Sequence, residues 1–153
     1  PVFVNTVKVQ SAKDMYDAVI ERADSMDIIV KAAAVADYRP KNVSSEKVKK
    51  QDGNMSIELE RTDDILKTLG ERKNGQFICG FSMETENMLE NSRKKLEKKN
   101  CDMIVANNLK QDGAGFGGNT NIVTLITKDD EVQLEKMTKD EVAEKIFDFI
   151  LSR

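Results

Sequence analysis

Three short apolar runs, separated by stretches of helical periodicity, set the tightest limit on how this chain folds. Residues 27–34 read DIIVKAAA, residues 76–81 QFICGF and residues 102–106 DMIVA. Each is far shorter than the roughly 20 apolar residues that span a bilayer. Their apolar centres are continuous rather than alternating, as in strands covered on both faces of a parallel sheet. Ser11 caps a candidate helix that runs to about residue 25, with Met15, Ala18, Val19 and Ala23 at helical spacing. Thr62 or Asp63 opens a second over residues 64–72, and a third covers residues 84–99. This alternation predicts an α/β layered fold with a largely parallel sheet. Residues 122–127 and 132–137 flank Lys128, Asp129 and Asp130 and predict a hairpin, which makes the sheet mixed. Thr138 and Glu141 form a capping box ahead of a last amphipathic helix with Val142, Ile146, Phe149 and Ile150 on one side. Residues 2–9 are extended in character and residues 55–60 alternate like a half-exposed strand, while residues 35–54 and 107–121 read as irregular. The 153 residues, without a repeat or internal linker, fit one domain.

What the chain lacks narrows its chemistry. It has no histidine, so Ser-His-Asp and Cys-His nucleophiles and histidine metal sites are excluded, along with the usual neutral-pH base. No metal site is expected from its residues. The formal net charge of −3 argues against general nucleic-acid binding, and no apolar stretch argues for a membrane partner. Cys79 and Cys101 are 22 positions apart, the spacing of neither a redox pair nor a zinc site. They read as reduced structural thiols of a cytoplasmic protein. Positioning and charge stabilisation, with lysines as the active groups, are the chemistry left to such a chain.

Several constellations fit that chemistry, each beside a plainer reading. Lys31, Ala32, Ala33, Ala34 and Asp37 leave a strand at the end where open α/β sheets bind ligands, but small residues there also serve packing. Between residues 31 and 50 stand six basic residues against Asp37 and Glu46, with Lys47, Lys49 and Lys50 in an irregular loop. Such a loop suits closure over phosphates, and equally suits plain solvation. Asp63, Asp64, Ile65 and Leu66 begin a helix whose free N–H groups hold anions, unless the acids simply cap it. Lys95 and Lys99 share a helix face, although an acidic start and basic end also satisfy the helix dipole. Gly80 and Phe81 end a buried strand, where the ring faces either a base or the core. No GxxxxGK[ST] or GxGxxG motif occurs.

Taken in order, these segments resemble phosphopantothenoylcysteine synthetase. The resemblance rests on Ala33 to Tyr38 (AAVADY), the spaced Lys47, Lys49 and Lys50, and Asp64-Ile65-Leu66. Gly80-Phe81 with Glu84-Thr85, Lys95, Lys99, and Asp102 to Asn107 extend it over nearly the whole chain. It implies a Rossmann-like fold and a ligase that joins phosphopantothenate to L-cysteine with magnesium-bound CTP through an acyl-cytidylate, in coenzyme A biosynthesis. It also implies a homodimer and, in many bacteria, a fused phosphopantothenoylcysteine decarboxylase, with FMN only in that fused domain. By position, Lys31, Ala32, Ala33 and Asp37 line the nucleotide pocket, Asp63 to Leu66 cradle the triphosphate, and Phe81, Lys95 and Lys99 complete it. Ala33, Ala34 and Asp37 also lie beside phosphopantothenate, and Lys47 is the catalytic lysine of a flexible loop. Asn107 and the glycine-rich loop are assigned no chemistry. Family members open with an N-terminal strand and Gly-rich turn that this sequence, starting at Pro1, does not show, so the piece alone is expected to be weakly active or inactive. The alternative is a nucleotide-binding α/β domain without ligase activity.

Overall fold

The computed structural model describes residues 2–49, 52–84, 86–108 and 118–153. Its centre is a mixed sheet of β1 (Ile28–Lys31), β4 (Phe77–Glu84), β5 (Met103–Asn108), β7 (Val123–Ile126) and β8 (Glu131–Gln133), adjacent in that order. The first three strands are parallel, with Val30 opposite Cys79 and Cys79 opposite Met103. β7 and β8 join antiparallel as the expected hairpin.

The strand pleat sends successive side chains to opposite faces, and two cores result. Ile78 and Ile104 pack on one face with Ile65, Leu66 and Leu69 of α2 (Ile65–Arg72), against which Met15 and Val19 of α1 (Ala12–Arg22) also pack. Cys79, Met103 and Val105 pack on the other with Leu125 and with Val142, Ile146 and Ile150 of α4 (Lys139–Leu151). Thr138 and Glu141 cap α4 reciprocally as expected, and Ser11 does the same for α1 with Asp14. α3 (Met88–Lys98) links β4 to β5, and Leu96 is its contribution to the first core.

The elements depart from expectation where pairing or capping overrides local pattern. Residues 2–9 form no strand. β1 is the edge of the sheet and only partly buried, with Val30 38% exposed, because β4 covers one side of it and no described strand the other. Asp64, not Thr62 or Asp63, caps α2, accepting from the N–H of Lys67 at 3.0 Å. β4 runs on to Glu84, which delays α3 to Met88. The stretch expected to be irregular after residue 34 holds β2 (Tyr38–Pro40), paired antiparallel with β3 (Leu59–Arg61) as a small separate ribbon. The stretch after residue 106 likewise holds the end of β5 and β6 (Thr120–Asn121), which pairs with β9 (Met137–Thr138). Lys50, Thr85 and residues 109–117 lie outside the described residues.

Candidate active site

The carboxyl ends of β1, β4 and β5 open on one cavity of about 960 Å3, where a parallel sheet is expected to bind its ligands. After β1 the chain contributes Lys31, Ala32, Ala33, Ala34 and Asp37. The start of α2 contributes Asp63, Asp64, Ile65 and Leu66, the end of β4 contributes Phe81, and α3 with its C-cap contributes Lys95 and Lys99. Every residue assigned from sequence to the site therefore lines this cavity, with the exception of Lys47. That lysine lies in the exposed loop between β2 and β3 and forms no part of the wall.

Glycine sets how closely these elements converge. A β-carbon on Gly80 would stand 2.7 Å from Cδ2 of Leu66 and 3.0 Å from Cδ1 of Ile104, so its absence lets the first turn of α2 settle against β4. The base of the β2–β3 ribbon is tied down beside it. Thr62 donates its hydroxyl to the Ala36 carbonyl at 2.6 Å and its N–H to the Asp37 carbonyl at 3.0 Å. Two ion pairs, Arg39 with Glu60 and Lys41 with Glu58, continue the ribbon outward.

Cations dominate the sheet end of the cavity. Lys31 donates to the Ala33 carbonyl at 2.8 Å, and Lys95 to the Phe81 carbonyl at 2.9 Å. Lys99 pairs with the Asp64 carboxylate. Burial, then the neighbouring Lys95 charge, lowers the Lys31 ammonium below its ordinary 10.5, while Asp64 and Asp37 act against the shift. Burial acts to raise the Asp64 carboxyl, but the hydrogen bonds from Lys99 and from the Lys67 N–H outweigh it and hold the group below its ordinary 3.8. Three ammonium groups and the free N–H groups of a helix start thus face one space, an arrangement that binds polyanions. Asp64 occupies that helix start itself, so an incoming anion meets a carboxylate already in place.

Sequence reasoning missed the far wall. Asn107 at the end of β5, Asn121 of β6, and Lys139 and Ala143 of α4 all line the cavity. The Asn107 Oδ1 atom is buried and has no hydrogen-bond partner among the described residues. Its position, directly after a buried strand of the parallel set, was the available signal. Lys139 gave none, because α4 reaches the site only through the hairpin. Arg61 and the Tyr38 side chain at the ribbon base were missed too, since β2 falls in a stretch read as irregular and the strand read over residues 55–60 was given no partner. Among the described residues no three acidic, cysteine or histidine side chains cluster as a metal site, and no helix is long and apolar enough to cross a membrane.

The family model described as the DNA/pantothenate metabolism flavoprotein C-terminal domain matches residues 1–153. The coenzyme A biosynthesis bifunctional protein CoaBC of Bacillus subtilis (strain 168) is 55% identical over 123 residues, which cover 80% of this chain and 30% of that protein. A cysteine/cysteine sulfinic acid decarboxylase from an unknown prokaryotic organism is 43% identical over 151 residues, 97% of this chain and 42% of that protein. Among solved structures, the crystal structure of the C-terminal domain of a coenzyme A biosynthesis bifunctional protein CoaBC superposes with a TM-score of 0.80 at 46% identity, covering 98% of this chain and 66% of that one. The chain thus spans less than half the length of these two curated relatives.

Proposed function

This chain belongs to the DNA/pantothenate metabolism flavoprotein C-terminal domain family, and from that premise we propose that it is the nucleotide-binding part of a cytoplasmic phosphopantothenate–cysteine ligase. One observation carries the reading: all the site residues assigned by position except Lys47 converge on a single cation-rich cavity at the strand ends. The identity to the Bacillus subtilis CoaBC protein supports the pathway, coenzyme A biosynthesis.

In the proposed reaction a carboxylate oxygen of phosphopantothenate attacks the α-phosphorus of CTP. The α–β phosphoanhydride breaks and pyrophosphate leaves. The amine of L-cysteine then attacks the acyl carbon of the resulting acyl-cytidylate, expelling CMP and losing a proton as the amide forms. Lys31, Lys95 and Lys99 neutralise charge on the phosphates, and the first turn of α2 donates backbone N–H groups. The three alanines after β1 leave room for the reacting carboxylate close to the main chain. Preorganised charge and alignment suffice for such a transfer and need no histidine.

Magnesium bound to the nucleotide would supply charge neutralisation there. Held by the triphosphate oxygens, such a cation needs few protein carboxylates, and no residue of this chain is assigned to it. FMN belongs only to a fused decarboxylase domain. The intact enzyme is proposed to be a homodimer; the exposed Leu59 of β3, with Val43, Met55 and Ile57 between β2 and β3, supports an apolar contact there, and sedimentation of the intact protein checks it.

Lys47 is the proposed catalytic lysine, carried by a loop whose base at Tyr38 and Arg61 does reach the cavity. Its position off the wall favours a second reading, a nucleotide-binding domain without ligation. Calorimetric titration with magnesium-CTP and magnesium-ATP, on the chain and its Lys47→Ala variant, together with product formation by the intact enzyme, separates the two. The ligase reading requires saturable CTP binding and loss of amide product in the variant. Retention of product formation refutes the role of Lys47, and absence of nucleotide binding refutes both readings.

A further inference from the structure

Six arginines occur in the chain. Five have carboxylate partners: Arg22 with Glu21, Arg39 with Glu60, Arg72 with Asp24, Arg93 with Glu131, and Arg153 with Asp130. The sixth, Arg61, forms no ion pair among the described residues, and it is the arginine that lines the cavity. Its guanidinium carbon lies 5.8 Å from the centre of the Tyr38 ring, which also lines the cavity. The two are direct cross-strand partners in the β2–β3 ribbon, so the ladder that ties the ribbon also holds the cation over the ring. An arginine held by an aromatic face keeps its N–H donors available for a planar oxyanion.

We propose that Arg61 receives the α-carboxylate of the amino-acid substrate, and so selects an amino acid over a simple amine as the acceptor of the acyl group. The proposal rests on the ligase reading. Phosphate charge is served elsewhere in the cavity, by Lys31, Lys95, Lys99 and the start of α2. The volume of about 960 Å3 stands at the upper end of ligand pockets and leaves space beyond a nucleotide. Asp37 and Asp63 line the cavity on either side of Arg61 in the chain, and the backbone hydrogen bond from Thr62 to Asp37 brings their segments together. The same cavity thus carries the Arg61 cation and two carboxylates, which suits a zwitterion whose ammonium the carboxylates attract. A dianionic phosphate would be repelled by them, which argues against the phosphate of phosphopantothenate as the occupant. A guanidinium also matches a carboxylate with two parallel hydrogen bonds, which a lysine cannot do.

Steady-state kinetics of the intact enzyme carrying Arg61→Met or Arg61→Lys test the assignment, with cysteine and with cysteamine, which lacks the carboxylate. The Met variant should raise KM for cysteine at least tenfold while KM for CTP and for phosphopantothenate stays within twofold. The preference for cysteine over cysteamine, as a ratio of kcat/KM, should fall by the same factor, and the Lys variant should restore part of it. Unchanged CTP affinity measured on the variants guards against a fold defect. The assignment is overturned if cysteine and cysteamine are affected alike, or if neither is. It is equally overturned if only KM for phosphopantothenate rises while pantothenate binding is unaltered, which would assign Arg61 to that phosphate. Failure of the unsubstituted enzyme to ligate either amine would instead overturn the ligase reading, and this assignment with it.

Discussion

Gly70 of α2 lies against the main chain of Lys99, so closely that a β-carbon on Gly70 would stand 1.8 Å from the Lys99 carbonyl oxygen. Asn100 locks the same crossing by donating its side-chain amide to the Gly70 carbonyl at 2.9 Å, from a left-handed backbone position (φ +49°). The contact sets where the C-cap of α3 meets α2, and hence where the Lys99 ammonium meets Asp64. Gly70→Ala has no flexible side chain to push aside, only backbone. It should cost about 1–3 kcal/mol of stability, the usual range for overpacking, and weaken CTP binding beyond what the lost stability explains. Denaturant midpoints and nucleotide titration of the variant check both parts.

Ser92, fully buried on α3, presents a hydroxyl with no hydrogen-bond partner among the described residues. Leaving such a group unsatisfied costs about 1–3 kcal/mol. Ser92→Ala removes the polar atom while keeping a small side chain, so it should leave stability unchanged or raise it by about 1 kcal/mol. A fall in the denaturant midpoint would show that the hydroxyl does have a partner, such as water.

Lys31 is held in its charged form against burial and against Lys95. An anion relieves that tension, so Lys31→Met should lower CTP affinity at least tenfold, the worth of a charge-assisted contact of about 1.5–3 kcal/mol. Stability of the unliganded protein should hold or rise. The sign with pH follows from the lowered value. As pH climbs toward the ordinary 10.5, Lys31 loses its proton before an ordinary lysine does, and CTP affinity should begin to fall at that lower pH. Affinity measured against pH in the wild type and the variant provides the comparison.

Asp64 supplies the acid-side counterpart. Its folded-state value lies below the ordinary 3.8, so its contribution to stability is full above that value and is lost as pH falls through the folded one. Asp64→Asn should therefore flatten the acid limb of the stability curve below about pH 4. An identical acid limb in the variant would place the effect on other carboxylates.

Both thiols should be inert in the native protein. Burial lifts the Cys79 thiol to about 12 and the Cys101 thiol to about 11, so the reactive thiolate is scarce at neutral pH. Labelling by a maleimide should proceed only as fast as the protein unfolds.

Much of this fold was legible because its parallel strands are apolar throughout and its helices carry caps. Ser11, Thr138 and Glu141 behave as their spacing predicts, since capping is local. Lys31 ends a strand and was legible as a site residue, whereas Lys95 and Lys99 came to the site through the family resemblance, because the helix dipole alone explains their placement at the end of α3. What escaped depends on pairing at a distance. Tyr38 and Arg61 become neighbours only through a ribbon whose intervening loop carries no strand pattern. Lys139 and Ala143 face the cavity because the hairpin returns α4 to the sheet, and no local signal reports that return. β1 misled in the opposite sense, since an apolar run does not reveal how many of its sides are covered.

β5 is parallel to β4 on one side and antiparallel to β7 on the other, and that reversal brings α4 back to the ligand cavity. The walls consequently draw on residues from Lys31 to Ile146. A ribosome must have extruded nearly the whole of this sequence before any complete pocket exists. A ligand of that pocket therefore cannot assist early steps of folding during synthesis. On the proposed function, a bound nucleotide would stabilise only finished molecules, and in a cell it would protect a completed domain, and not a truncated one, from proteolysis.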